Sequence, residues 1–241
     1  MKIRIKFGKY GELKFIGHLD VMRYFQKLMR RADIDICYSK GFSPHQIMSF
    51  AQPLGIGVTS DGEYFDIEAH STLSTAEAVK RLNEFSVPNL PVYDYRLLPD
   101  DAKTGMAVIA AADYIVRPRY PERVYFDIKK TWGEFMAQET ILIDKKTSAG
   151  EEELDMKTLI YENEADEGSI SFRLSCGSVI NLKPETVMEK FFEFVGYEPA
   201  EFELIIHRKE LYAAAGDGFI SLGDMGTVIE KGFSEDDKGD N

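Results

Sequence analysis

Residues 14–66, KFIGHLDVMRYFQKLMRRADIDICYSKGFSPHQIMSFAQPLGIGVTSDGEYFD, carry the pattern that decides the fold. Over 18–32 the apolar residues recur with a helical period. At 100° per residue, Val21, Met22, Phe25, Leu28, Met29 and Ala32 share one side, and Arg23, Lys27, Arg30 and Arg31 take nearly the opposite one. A short β-like segment follows at 34–39. Then come the loop Gly41–Phe42–Ser43–Pro44–His45, a strand over 46–51, a second loop over Pro53–Gly57 and a strand over 63–69.

Upstream, Lys2, Arg4 and Lys6 alternate with Ile3, Ile5 and Phe7, which predicts a strand with one buried face. Downstream, 74–85 reads as a helix, with Ser74 and Glu77 spaced as a capping box, and 92–98 as a strand. Strand, helix, strand, strand, helix, strand is the ferredoxin-like βαββαβ order. The same order returns loosely, with an extra strand, beginning with a strand at 107–117, a helix at 126–138 and a strand at 140–145. A hairpin of 156–161 with 169–175, a helix at 184–194 opened by Pro184 and a strand at 202–212 complete it. The expected fold class is α+β, two tandem ferredoxin-like α/β sandwich domains over 1–101 and 106–215. A Gly-rich, then acidic tail over 216–241 is expected to be largely disordered.

The charge is unevenly placed. Residues 1–45 hold 10 Lys/Arg and 4 Asp/Glu, a balance of +6; the rest hold 19 and 37, a balance of −18, for a net charge of −12. The surface as a whole repels nucleic acid, so any contact with a polyanion is local. Cys37 and Cys176 form neither a disulfide framework nor a metal-spacing motif and read as reduced thiols of a cytoplasmic protein. The amino terminus shows no apolar signal core, and no apolar run approaches the roughly 20 residues that span a membrane.

Three groups of residues could carry chemistry. Arg23, Lys27, Arg30 and Arg31 present a row of cations suited to a phosphate backbone, or form a solvated face paired with acids from elsewhere. In the 41–45 loop, Gly41 permits a positive φ, Ser43 and Pro44 favour a turn, and His45 is left titratable; such a turn can hold a phosphate or simply reverse the chain. His18 and Asp20 open the helix. Asp20 suits a helix amino terminus, and His18 with His45 could serve as an acid–base pair of the ribonuclease kind, or cap and pack. No HExxH, CxxC or EF-hand pattern marks a metal site, the acidic run Glu151–Asp155 reads as a solvated turn, and no phosphate-loop or dinucleotide fingerprint implies a cofactor.

The combination of HLD, RRA, GFSPH, PLGIG and S-x-x-EY resembles a bacterial family of radical-SAM-linked conserved hypothetical proteins. The resemblance is dense over 1–100 and continues through DMKTLIY, NLKPETVMEKFFEF and HRKELY, stopping before the tail. On it, His18, Asp20, Arg23, Arg30, Arg31, Gly41, Phe42, Pro44, His45, Pro53, Leu54, Gly57, Ser60 and Glu63 are family-like. The resemblance implies a separate radical-SAM protein as partner and an RNA-related setting. The chain itself lacks the CxxxCxxC that would hold that chemistry's cluster.

The leading expectation is an accessory RNA-binding or substrate-presenting protein acting with a radical-SAM enzyme on tRNA or rRNA. The rivals are a metal-independent endoribonuclease or RNA-modifying enzyme using His18 and His45, and a protein-interaction module without RNA.

Overall fold

The computed structural model describes residues 1–147, 150–178 and 180–234. Its fold is α+β. The chain divides into two compact units, one of residues 1–110 with 210–241 and one of residues 111–209. The division expected between residues 101 and 106 falls instead at Ala110, and the carboxy-terminal segment returns to the first unit.

The first unit opens with β1 (Lys2–Lys9), α1 (His18–Arg31), β2 (Met48–Phe50), β3 (Thr59–Glu68), β4 (Ser71–Thr72), α2 (Thr75–Phe85), β5 (Val92–Leu98) and the single turn α3 (Gly105–Val108). β1 pairs antiparallel with both β3 and β5, and β2 pairs antiparallel with β3. β1 is therefore interior, flanked by β3 and β5. Its apolar face, with Ile3, Ile5 and Phe7, meets α1 through Val21, Phe25, Leu28 and Met29, all buried. Phe7, Phe25, Phe50 and Phe65 form the centre of that core, with the Phe7–Phe25 and Phe25–Phe65 rings 4.5 and 4.7 Å apart. α2 carries the capping box that Ser74 and Glu77 predict: the Glu77 amide donates to Ser74 Oγ and the Ser74 amide to Glu77 Oε2.

The opposite face of β1 is not the solvent face that its Lys/Arg alternation suggests. Arg4 is 2% exposed and grips Asp66 on β3 with two bonds, Nε to Oδ1 at 2.8 Å and Nη2 to Oδ2 at 2.9 Å. The Gly105 amide donates to the same Asp66 Oδ2 at 2.7 Å, and Arg4 Nη1 reaches Met225 Sδ. Lys6 pairs with Glu210 at 2.7 Å, and Lys2 Nζ donates to the Ala102 carbonyl. Both faces of this sheet are covered, so a single strand's alternation misreads its polar side.

The second unit takes the chain through β6 (Ile109–Pro118), which begins in the first unit. It continues with α4 (Ile128–Met136), β7 (Leu142–Thr147), β8 (Gly150–Asp155), β9 (Ile160–Ala165), β10 (Ile170–Ser175) and α5 (Pro184–Val195), and leaves through β11 (Leu204–Ala215). β10 pairs antiparallel with β6 and β9. Trp132 and Phe135 of α4 pack on Phe191 of α5, and the indole N–H donates to Asn163 Oδ1. The acidic run 151–155, expected as a turn, is the strand β8. It pairs with β7 from Leu142↔Asp155 to Thr147↔Gly150, because a hairpin partner supplies the backbone bonds that a local charge count does not register.

Most of the segment expected as a tail is folded. β12 (Gly218–Ser221) makes a hairpin with β11, β13 (Thr227–Val228) adds to β5, and β14 (Phe233–Ser234) adds to β4. Gly226 has φ +91 and a Cβ there would lie 2.6 Å from the Leu97 carbonyl oxygen, so the turn into β13 requires glycine. Ile229 is buried in the core beyond it, and its backbone N–H and C=O are both bonded to Thr75. These apolar anchors are spaced too sparsely to stand out among the glycines and acids. Residues 235–241 of the expected tail lie outside the described residues.

Asp66→Ala should cost about 3–5 kcal/mol of stability, because it leaves the Arg4 guanidinium buried without its counter-charge. Urea denaturation measures this. A loss below about 1 kcal/mol would mean that the pair behaves as a solvated one. The paired replacement Arg4→Met/Asp66→Leu should cost clearly less than Asp66→Ala.

Candidate functional site

α1 turns one face to the core and leaves the other to solvent, so its cations are displayed by the same periodicity that buries Phe25. Arg23 reaches Asp20 Oδ1, one turn earlier, at 3.4 Å across an exposed surface. Lys27, Arg30 and Arg31 are exposed and have no ion-pair or hydrogen-bond partner among the described residues. Arg30 and Arg31 also lie in the last turn, where the helix dipole favours positive charge. Among the described residues, Asp20 is the acid that pairs with a cation of this row.

Beside the end of α1 a cleft of about 570 Å³ opens in the first unit. Arg30 and, from α2, Arg81 line it, with Asp33, Asp35, Tyr38 and Ser71. Thr72 and Tyr95 are also in its lining; both are buried, their hydroxyls 3.3 Å apart. Ser71 Oγ donates to Asp35 Oδ2 at 2.7 Å. Arg81 and Tyr38 stand out only in three dimensions. The capping box announces the helix that carries Arg81, but no local pattern says that this residue faces α1.

The 41–45 loop is the tip of a hairpin closed by an isolated bridge between Tyr38 and Gln46. Ser39 Oγ accepts from the His45 amide at 3.1 Å and lies 2.8 Å from His45 Nδ1, so Ser39 holds His45 across the turn. Gly41 adopts φ +120. Ser43 and Pro44 are exposed, and Phe42 is fully exposed at the tip. Below the tip, Gln46 Oε1 is buried with no partner among the described residues.

His18 is the first residue of α1, and its ring meets the edge of Phe50 at 5.2 Å. Burial is the largest influence on it and lowers its pKa from 6.5; the carboxylate of Glu63 opposes this and the ammonium of Lys9 adds to it. Lys9 and Glu63 are themselves buried, and Lys9 Nζ donates to the Ile16 carbonyl at 2.9 Å, just before α1. Ser60 is buried and accepts from the Gly62 amide, and Gly57 of the 53–57 loop donates to the Lys14 carbonyl at 2.8 Å. Family-like residues on three separate segments therefore converge under the start of α1, together with Lys9, whose burial the alternation of β1 does not indicate.

His18 and His45 do not share this place. His18 rests on Phe50, and His45 is held by Ser39 across the 41–45 turn. An acid–base pair must reach one phosphodiester from both rings at about 3 Å. Among the described residues no group of three His, Cys, Asp or Glu is placed to hold a metal ion. No helix of the described residues is long and apolar enough to cross a membrane. Cys37 and Cys176 are free thiols.

A charged recess in the second unit provides a contrast. There Arg173 is bound by Asp113 at 2.7 and 3.0 Å and by Glu162 at 2.6 Å, so its guanidinium is already occupied.

Residues 2–184 match the family described as an uncharacterized protein conserved in bacteria (DUF2344). No curated protein matches the chain.

The NMR titration of His18 should show a midpoint below 6.5. Its folded-state pKa is depressed, so its contribution to stability is present above the unfolded pKa and is lost as pH falls through the folded one. The unfolding midpoint should therefore drop as pH falls from about 7.5 to about 5.5, and His18→Gln should flatten that drop. A His18 midpoint at or above 6.5 would contradict the buried placement.

Proposed function

We propose that this chain, which belongs to the bacterial family DUF2344, is a cytoplasmic RNA-binding protein that presents tRNA or rRNA to a separate radical-SAM enzyme. The observation that carries the RNA half is the row Lys27, Arg30 and Arg31 on the outer face of α1, whose side chains have no partner among the described residues. A strongly acidic chain has acids available to neutralise such a row, and among the described residues Arg23 alone of the four is paired. Closely spaced free cations displace condensed counterions together, which is the physical basis of phosphate-backbone affinity. The overall charge of −12 keeps the rest of the surface from competing for the same polyanion.

The partner half rests on the sequence resemblance through GHLD, GFSPH and PLGIG. The loops bearing those motifs leave Phe42 and Ile56 exposed, side chains that a protein or base surface would cover. In this reading α1 holds the RNA backbone and the partner supplies the chemistry.

The same reading takes each unit as a ferredoxin-like sandwich. The all-antiparallel order β5-β1-β3-β2 in the first unit supports it, because that is the 4-1-3-2 arrangement of a βαββαβ motif. In the second unit the succession β6, α4, β9, β10, α5, β11 supports it, with the β7–β8 hairpin inserted after α4.

Filter binding of bulk tRNA to the purified chain, repeated across salt concentrations, tests the RNA half. Affinity should fall steeply with salt, and Lys27→Ala/Arg31→Ala should lower the log–log salt slope by about 2 while leaving the circular dichroism spectrum unchanged. Salt-insensitive binding, or a slope untouched by the double substitution, would remove α1 from the interface.

A further inference from the structure

We propose that the cleft between the last turn of α1, α2 and β4 binds one ribonucleoside monophosphate unit, carried by a single-stranded RNA or free in solution. In its RNA-borne form the inference rests on the RNA-binding reading above. The cleft's volume of about 570 Å³ falls within the roughly 300–1,000 Å³ of small-ligand sites.

Its chemistry is that of a nucleotide rather than of a bare anion. Arg30 and Arg81 come from two different helices, and neither has a partner among the described residues, so both forks are open to a phosphate. Asp33 and Asp35 balance those two charges, which disfavours a polyphosphate or a divalent anion alone. Asp33 sits just past the helix at φ +51, a conformation that aspartate tolerates better than most residues, and its carboxylate has no side-chain partner among the described residues. Free carboxylate oxygens beside a phosphate subsite are acceptors for sugar hydroxyls, and the 2′-hydroxyl is what separates RNA from DNA.

The Tyr38 ring supplies the third element. It lines the cleft and is 46% exposed, which leaves part of an aromatic side chain accessible to a base, while Gln46 Nε2 donates to its hydroxyl at 3.4 Å. Tyr38 also begins the hairpin whose tip is Phe42, so a strand leaving the cleft along that hairpin meets a second exposed aromatic ring. Arg30 belongs both to the cleft and to the α1 row, which makes the phosphate subsite continuous with the backbone-binding face.

The test uses the full chain and fluorescence anisotropy with labelled single-stranded RNA and DNA of one sequence, about 12 nucleotides long, and unlabelled nucleoside 5′-monophosphates as competitors. RNA should bind about 10-fold more tightly than DNA, and Asp33→Ala should bring RNA down to the DNA level. Arg81→Ala should weaken RNA binding about 10-fold or more, Arg81→Lys less, since it keeps the charge and loses the fork. Tyr38→Ala should weaken it about 10-fold and Tyr38→Phe should retain it, which separates stacking from an effect on folding; thermal melts check that each variant is folded.

Salt-dependent RNA binding through Lys27 and Arg31, but with equal RNA and DNA affinity and no effect of Arg81→Ala, would overturn the cleft and leave the RNA reading standing. Arg81-dependent binding of monophosphates with no RNA binding would uphold the cleft for a free nucleotide and overturn the RNA reading. No binding of either would overturn both.

Discussion

The buried pair of Arg4 and Asp66 is the constraint around which the first unit is arranged. The two residues are opposite each other in the β1–β3 register, and neither can be left alone out of water. Satisfying them takes more than each other: the Gly105 amide completes Asp66 Oδ2, and Met225 sits against the guanidinium. Segments far apart in sequence are thereby held over one face of the sheet. The opposite face is free to take α1, and through the Phe7–Phe25–Phe65 contacts it fixes which side of that helix looks outward.

Once that orientation is fixed, the cations sort by environment. Arg4, Lys6 and Arg173 hold strands together with acids beside them, and Arg96 is bound by Asp94 on its own strand. Lys27, Arg30, Arg31 and Arg81 have no such neighbours among the described residues. In an acidic protein the second group matters more for recognition than its number suggests. A small positive field bounded by negative surface directs a polyanion to one place and orients it there. The cleft at the end of α1 adjoins that positive area through Arg30, and within it Asp33 and Asp35 offset Arg30 and Arg81 beside polar and aromatic groups that a plain electrostatic patch would not require.

The cluster beneath the start of α1 has a different character. His18, Lys9, Glu63 and Ser60 are inward-facing or buried, and Lys9 is tied to the Ile16 carbonyl. These groups define how the chain enters α1 and how the 53–57 loop closes on residue 14. They are a support for the basic helix, and the exposed hairpin bearing His45 is a separate feature. That separation is why motif residues that look alike in the sequence divide into a buried group and a surface group.

Much of the local structure was legible in the sequence. The two faces of α1, the capping box that starts α2 and the strand at 92–98 all follow from patterns a few residues long, whereas β9 covers 160–165 instead of the expected 156–161, because β10 supplies a backbone partner to residues 162–165. The free cations of α1 were legible as candidates, since periodicity alone puts them on one side. Arg81 and Tyr38 were not, because nothing within α2 or the 34–39 segment indicates what each will face. The strand at 150–155 and the folding of 216–234 were missed for a related reason: both depend on a backbone partner supplied from elsewhere in the chain. By itself the sequence determined which side of each element is apolar, because that is set by the 3.6- and 2-residue periods within the element. Only the tertiary structure decided that Arg4 is buried, that Arg30 and Arg81 share a cleft and that the carboxy-terminal segment completes the first unit. These depend on register and on contacts between residues as far as 221 apart, and no local period encodes a partner at such a distance.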